Sequence, residues 1–430
     1  MKANPWVLVT LLALTATVSY LCRVNVSVAG VLMMRDLGIS AVEMGRVFSA
    51  LILGYGLFQI PAGMMADRWG ARKMLLVAGV WWTAITILIA ATGWGPLSSA
   101  TASALWILIF LRFIQGVGQA PTYPAAAQGV ARWIPPHRQG LANGIVLTSI
   151  GLGTGLAPPF LSMVMVRWGW RAALLTSAIP ALLVAVAWAF VPEGSTRAPA
   201  LTPPTSKATG RGRLRSRSFI CLVISYTLEG YVGYIFIFWF YLYLVEERHF
   251  DLLRAGRWGS LPWILSIISI PLGGIVSDRL VSGRLGLRWG RRAVPLFGLG
   301  LAGAFVALGA WTESAYMAVG CLAVATALVF CVEGPFWAAM MEVAESNTGT
   351  AGGVMNFGSN FGGFVSPALT PILAAHWGWK NALYVAAIIS IIGASLWLGV
   401  SPRSAQDPHE ERLLASEEAG THPMGGNLWK

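Results

Sequence analysis

Two arginines and two glutamates stand where a chain rarely keeps charge. Arg23 lies deep inside WVLVTLLALTATVSYLCRVNVSVAGVLMM, and Arg112 inside ALWILIFLRFIQGVGQ. Glu229 (SYTLEGYVGY) and Glu333 (VFCVEGPFW) sit in equally apolar runs. A guanidinium stays charged at any working pH. Placing it at a bilayer centre costs at least about 2.5 kcal/mol on insertion scales, so it faces a polar interior rather than lipid. Its planar fork of N–H donors matches a carboxylate with two bonds at once. These residues can therefore bind and compensate charge. Arg23 suits an anion. Arg112 suits either a second anion contact or a strut for a neighbouring helix. Glu229 and Glu333 suit proton exchange, pairing with the arginines, or binding a cation. If acids and arginines pair off, no charge is left for a ligand. If a glutamate is protonated, the site is cationic and attracts an anion.

Polar residues accompany these charges at helical spacing. Ser19, Tyr20, Arg23 and Ser27 fall close to one face. Tyr55 and Gln59 share a face, as do Arg112, Gln115, Gln119 and Thr122. Asn356, Ser359, Asn360 and Gly363 form a further stripe. Such stripes either line a wet cavity or join helices by hydrogen bonds. The candidate binding set is Tyr20, Arg23, Tyr55, Gln59, Arg112, Gln119, Trp337, Asn356 and Asn360, with Glu229 and Glu333 as candidates for ion coupling.

The elements that position them are membrane spans. The chain of 430 residues is 56% hydrophobic and only 11% charged, with a mean hydropathy of +0.65, far outside the soluble globular range. Its 49 glycines and 20 tryptophans suit closely packed membrane helices and interfacial aromatic belts. Apolar stretches of about 20 residues predict twelve spans. They cover residues 7–32, 44–66, 74–93, 102–131, 141–166 and 172–191, then 219–245, 258–281, 293–311, 315–341, 350–375 and 381–400. This predicts an all-α membrane protein with a first six-helix bundle (1–191), a Pro/Ser/Gly-rich basic linker (192–218), a second bundle (219–400) and a polar tail (401–430).

The net charge of +12 does not point to nucleic acid, because the basic residues lie in short connections between apolar segments. Most of them, including the groups from Arg197 to Arg217 and Arg279 to Arg292, fall on the side of the termini. The positive-inside rule places both termini and the linker in the cytoplasm, with the protein in the plasma membrane (the inner membrane of a bacterium). The first apolar stretch is too long for a cleavable signal and contains Arg23. The four cysteines, Cys22, Cys221, Cys321 and Cys331, form no CxxC pair or disulfide framework. Metal-ligand spacing, a phosphate-cradling loop and a nucleophile triad are all lacking, so neither an enzyme nor a cofactor is expected. His137 and His376 fall at span ends, away from a buried relay. The glycines of GLGTGLAPP (151–159) lie in a span and read as close helix packing.

The halves repeat. VRWGWRAALL (166–175) matches AHWGWKNALY (375–384), with Pro158 and Pro367 at the same distance before them. GMMADRWGARK (63–73) follows the second span, and GIVSDRLVSGRLGLRWGRR (274–292) follows the second span of the other half. Gly63, Asp67, Arg68, Gly70, Arg72 and Lys73 resemble the loop signature of the major facilitator superfamily, and Gly274, Asp278 and Arg279 form its half-copy. The resemblance covers residues 5–400. It implies two pseudo-symmetric six-helix bundles and a gating role for Gly63, Asp67, Arg68, Arg72, Asp278 and Arg279. YLCRVNVSVAG (20–30), LRFIQGVGQAPTYPA (111–125), GYIFIFWFYLYLVEERHFDL (233–252) and GGVMNFGSNFGG (352–363) resemble its anion:cation symporter branch. That branch includes carriers of hexuronates, glucarate and galactonate, and the sialic-acid and vesicular glutamate transporters. The resemblance assigns Arg23 to a substrate carboxylate, and Asn356, with Tyr20, to sugar-acid groups.

It also implies proton coupling through an acid before the arginine and a Glu in the fourth helix. Those positions hold Cys22 and Gln119 here. Glutamine exchanges no proton, and a thiol does so poorly near neutral pH. Coupling has then moved to Glu229 or Glu333, another ion drives transport, or the protein is a facilitator. The expectation is a carrier of a small organic anion such as a sugar acid, importing by alternating access, with protons as the coupling ion. Its rivals are an exporter of cations or drugs that uses Glu229 and Glu333, and a ligand sensor that moves nothing.

Overall fold

The computed structural model describes residues 4–94, 101–192, 213–344 and 348–401, which are almost wholly α-helical. Most of the expected linker and tail lies outside the described residues. Helix α1 (Pro5–Leu37) starts where the Asn4 side chain caps Trp6 N–H, with proline at the first turn, and stops at the left-handed Gly38. Helix α2 (Ala41–Ala91) starts at a capping box between Ser40 and Glu43. The first half continues with α3 (Thr101–Gln119), α4 (Thr122–Trp133) and α5 (Gln139–Phe190). The second half holds α6 (Arg217–Phe238), α7 (Phe240–Glu246), α8 (Leu252–Gly259), α9 (Leu261–Ser282), α10 (Gly286–Trp311), α11 (Ala315–Cys331), α12 (Glu333–Ala344) and α13 (Thr348–Leu396).

Nine helical stretches among the described residues are long and apolar enough to cross a membrane. Helices α2, α5 and α13 have 51, 52 and 49 residues. At about 1.5 Å per residue each is more than twice the thickness of a hydrocarbon core. Each is interrupted by one left-handed glycine, Gly70 (φ 81°), Gly169 (φ 76°) or Gly378 (φ 82°). A residue with a Cβ resists that conformation. This is consistent with two spans per long helix and with the expected twelve. It corrects the expected connections 67–73, 167–171 and 376–380, which are helical turns around a single bend. Each bending glycine follows an outward-facing tryptophan (Trp69, Trp168 or Trp377), as interfacial anchoring requires.

Within the first half, α1 packs on α5 and α2 on α3; in the second, α6 packs on α13 and α10 on α11 and α13. The helix of Arg112 and Gln119 is pressed onto that of Tyr55 and Gln59. A Cβ at Gly116 would lie 2.0 Å from the Leu51 carbonyl oxygen, so only glycine permits that approach.

The halves meet at the end where α1 stops and α2 begins. Ser49 Oγ donates to the Phe364 carbonyl at 2.6 Å, and Ser260 Oγ to that of Gly155 at 2.6 Å. Ser162 and Tyr241 share a 2.8 Å hydrogen bond, and Arg35 pairs with Glu246 at 3.4 Å. Further toward the opposite end, Asn356 Nδ2 donates to Gln59 Oε1 at 2.7 Å across the halves. Beyond it, Gly140 and Gly144 of α5 and Gly353 of α13 have open space where a Cβ would project. Among the described residues, the bonds between the halves are thus concentrated toward the end where α1 stops.

Candidate functional site

Arg23 sits midway along α1 and is 2% exposed. Its Nε donates to Gln119 Oε1 at 3.0 Å. Its guanidinium carbon lies 4.7 Å from the ring centre of Tyr20 and 4.4 Å from that of Tyr55. Cation–π contact of this kind holds the group without neutralising it. Among the described residues no carboxylate pairs with Arg23. Nη1 and Nη2 have no acceptor among the described residues, and neither is among the buried polar atoms shut off from solvent without a partner. The terminal edge of the guanidinium, the one suited to a carboxylate, is therefore not sealed from solvent.

Gln119 explains that orientation. Its Nε2 donates to the Ser19 carbonyl at 3.1 Å, which turns its oxygen toward Arg23. Helix α3 ends at Gln119, and Pro121 precedes α4. Proline cannot donate to the ladder, which separates the two helices here. Thr122 closes the group through its bond to the Gln119 carbonyl at 2.8 Å.

Arg112 behaves differently. It is 0% exposed; Nη1 donates to Gln115 Oε1 at 2.6 Å and Nη2 to the Arg23 carbonyl at 3.0 Å. Its Nε is buried without a partner. Gln115 Nε2 donates to the Cys22 carbonyl at 3.1 Å. Arg112 and Gln115 thus tie α3 to the backbone of α1. Cys22 is fully buried, with its sulfur 3.9 Å from the Ser177 carbonyl on α5, so it faces a helix of its own bundle. Asn25 joins the same seam through Ser177 Oγ at 3.0 Å.

The second half contributes the acids and amides. Glu229 of α6 is 3% exposed and accepts no hydrogen bond among the described residues. Glu333 starts α12 and accepts from Tyr226 OH at 2.8 Å, with Trp337 beside it. Asn360 Nδ2 donates to the Asn356 carbonyl at 2.8 Å, and Tyr234 OH reaches Asn360 Oδ1 at 3.5 Å. Neither arginine pairs with either glutamate. Sequence reasoning missed Tyr226 and Tyr234. The signal was present: SYTLEGYVGY places Tyr226 three residues before Glu229 and Tyr234 five residues after it on an apolar helix.

Among the described residues, Asp67, Arg72 and Asp278 bond to partners of their own halves. Asp67 Oδ1 accepts from Gln128 Nε2 at 3.2 Å, and Arg68 and Arg279 are exposed. Arg72 donates to the carbonyls of Trp188 and Ala189 at 3.2 and 2.8 Å, capping α5. Arg292, in the equivalent RWGRR, caps the far end of the second half through the Val400 carbonyl and Ser401. Asp278 pairs with Arg291 at 2.6 Å, and Arg291 with Glu342 at 2.8 Å. Gly63 stands beside Pro124 of α4. His137 and His376 are exposed at helix ends.

The family model described as Major Facilitator Superfamily matches residues 12–367 and 279–429. The chain is 29% identical over 412 residues to the probable sulfoacetate transporter of Cupriavidus necator, covering 92% of this chain and 93% of that one. It is 27% identical to the hexuronate transporter of Bacillus subtilis (90% and 92% covered). It is also 27% identical to the D-galactonate transporter of Escherichia coli (89% and 92% covered). In fold it is similar to a bacterial homologue of the human lysosomal transporter Spinster, in an inward-facing and occupied conformation. The TM-score is 0.77 at 17% identity, with 93% of this chain and 97% of that one covered.

Proposed function

This chain belongs to the major facilitator superfamily, and from that premise we propose that it imports a small organic anion across the plasma membrane by alternating access. The relatives it matches along nearly their whole length are transporters rather than enzymes, and those named are carriers of sulfoacetate, hexuronate and galactonate. Each of those cargoes carries an anionic group. The observation that carries the reading is Arg23: a buried guanidinium without an acid partner among the described residues, whose two terminal nitrogens are not sealed from solvent. In low dielectric such a charge awaits a counter-charge.

The mechanism follows from where the halves touch. An anion entering from the open end meets Gln59 and Asn356, then the Arg23 fork between the Tyr20 and Tyr55 rings. Asn360, as donor and acceptor, and Trp337, as donor, are the groups proposed to meet hydroxyls of the cargo. Rocking the halves about this centre breaks the seam of Ser49, Ser162 and Ser260 and joins the open end. Gly63, Asp67, Arg68, Arg72, Asp278 and Arg279, at that end, form its gate. With both termini cytoplasmic, the state described here faces inward. Protons are the proposed coupling ion and Glu333, hydrogen-bonded by Tyr226, their foremost carrier, with Glu229 the second candidate.

The test is uptake of labelled carboxylates (hexuronates, aldonates, aromatic acids, dicarboxylates) and sulfonates into proteoliposomes, with and without an inward proton gradient. Uptake of at least one acid by the wild type and loss of its binding in folded Arg23→Gln is the expected result. Wild-type affinity in that variant removes Arg23 from the site. Failure to take up any acid overturns the anion reading.

A further inference from the structure

Phe48 of α2 carries a wholly buried ring across to the second half. It stacks on Phe238, with centroids 5.1 Å apart and planes at 14°, and meets Trp239 edge-on at 5.2 Å. Those two residues stand where α6 ends and α7 begins. Gly30 of α1 leaves room for the ring, since a Cβ there would already lie 3.6 Å from it. The stack continues along α6. Phe238 lies nearly parallel to Tyr234, at 5.9 Å and 20°, and Tyr234 OH reaches Asn360 Oδ1 at 3.5 Å. Tyr234 is seated on α13 at Gly363, where a Cβ would fall 2.5 Å from its ring. Phe48, Phe238, Tyr234 and Asn360 thus touch in series.

Only Phe48 in that series belongs to the first half, and its neighbours on α2 close the seam. Ser49 donates to the Phe364 carbonyl at 2.6 Å, and a Cβ at Gly45 would fall 2.2 Å from the Pro367 carbonyl oxygen. Helix α2 cannot draw away from α13 there without withdrawing the Phe48 ring from Phe238. A stacked pair constrains both of its rings. Without Phe48, Phe238 loses the support of one face, Tyr234 loses the support of Phe238, and Asn360 loses a fixed neighbour. We propose that Phe48 is a positioning residue for the cargo: through Phe238 and Tyr234 it sets Asn360, so that the hydroxyl-binding group is in place only while the seam is closed. Cargo that uses Asn360 then favours the closed seam, because a ligand shifts an equilibrium toward the state that binds it better. Arg23 is oriented by Gln119, Tyr20 and Tyr55 of its own half and does not depend on the stack. This deepens the anion reading and rests on Arg23 and Asn360 as the cargo contacts.

The experiment is isothermal titration of the purified full-length carrier with hexuronates and aldonates, each beside the unsubstituted carboxylate of the same chain length. Phe48→Leu keeps an apolar side chain but removes the ring. It is expected to weaken the hydroxylated acid by about fivefold, the factor that one lost aromatic pairing provides, and the unsubstituted acid by less than about twofold. Phe238→Leu, on the other side of the same contact, is expected to give the same signature and serves if Phe48→Leu does not fold. The double variant is expected to lose no more than either single one, because the two rings act as one unit. Equal weakening of both acids, no weakening of either, or additive losses in the double variant would overturn the proposal. If the wild type binds both kinds of acid equally, Asn360 meets no hydroxyl, and the proposal falls while the role of Arg23 stands. If no acid binds the wild type, the anion reading falls and this inference with it.

Discussion

Gln119 Oε1 lies 3.0 Å from Arg23 Nε, so a neutral amide holds one edge of the guanidinium and leaves the other edge free. A carboxylate at this position would hold the same edge and also cancel the charge. Gln119→Glu is therefore expected to weaken anion binding by about tenfold or more at neutral pH. Isothermal titration with a transported acid checks it, with Gln119→Leu alongside to separate lost orientation from lost charge. Undiminished affinity in Gln119→Glu would mean that the anion does not sit on Arg23.

Arg112 gives both terminal nitrogens to protein acceptors, Gln115 Oε1 and the Arg23 carbonyl. Arg112→Leu strands Gln115 Oε1, at about 1–3 kcal/mol for a buried group left unsatisfied, and removes the second bond to the Arg23 carbonyl. The expected outcome is a lower melting temperature in detergent, with affinity changed less than about threefold in the folded fraction. A collapse of affinity at unchanged melting temperature would return Arg112 to the binding set.

Glu333→Gln keeps a partner for Tyr226 but carries no exchangeable proton. Accumulation driven by a pH gradient should disappear while exchange of labelled for unlabelled acid continues. Gradient-driven accumulation that persists would transfer the coupling role to Glu229.

The closed end depends on a glycine. A Cβ at Gly45 would fall 2.2 Å from the Pro367 carbonyl oxygen, across the seam between α2 and α13. Gly45→Val should separate the halves there and favour the state open at that end. Spin-label distances between the end of α1 and the end of α7 should lengthen by several ångströms, since the valine side chain needs that room. Unchanged distances would show that the seam is not the closing surface.

Much of this was legible in the residues. Apolar length revealed the spans, because the bilayer leaves a chain few ways to satisfy its backbone. The paired RWGWR and HWGWK segments revealed the repeat, and the cost of burying a guanidinium singled out Arg23. What spacing could not reveal was the bends, since one left-handed glycine replaces a loop only when the flanking helices pack closely enough. Tyr226 and Tyr234 read as ordinary aromatic residues until the second half placed them beside Glu333 and Asn360.

By itself the sequence determined that this is a helical membrane carrier in two related halves with buried charges of both signs. Composition and periodicity carry that information, because solvation acts on each residue locally. The tertiary structure decided which charge is free. Arg23 and Arg112 are alike in sequence context, yet one meets an amide and two rings while the other is consumed by Gln115 and a backbone carbonyl. Cys22 is turned to Ser177 rather than to the cavity, Arg72 is spent on a helix end, and Gln59 finds Asn356 almost three hundred residues away. Partners in a low-dielectric interior are set by which helix faces meet, and residue types along the chain do not encode that meeting one position at a time.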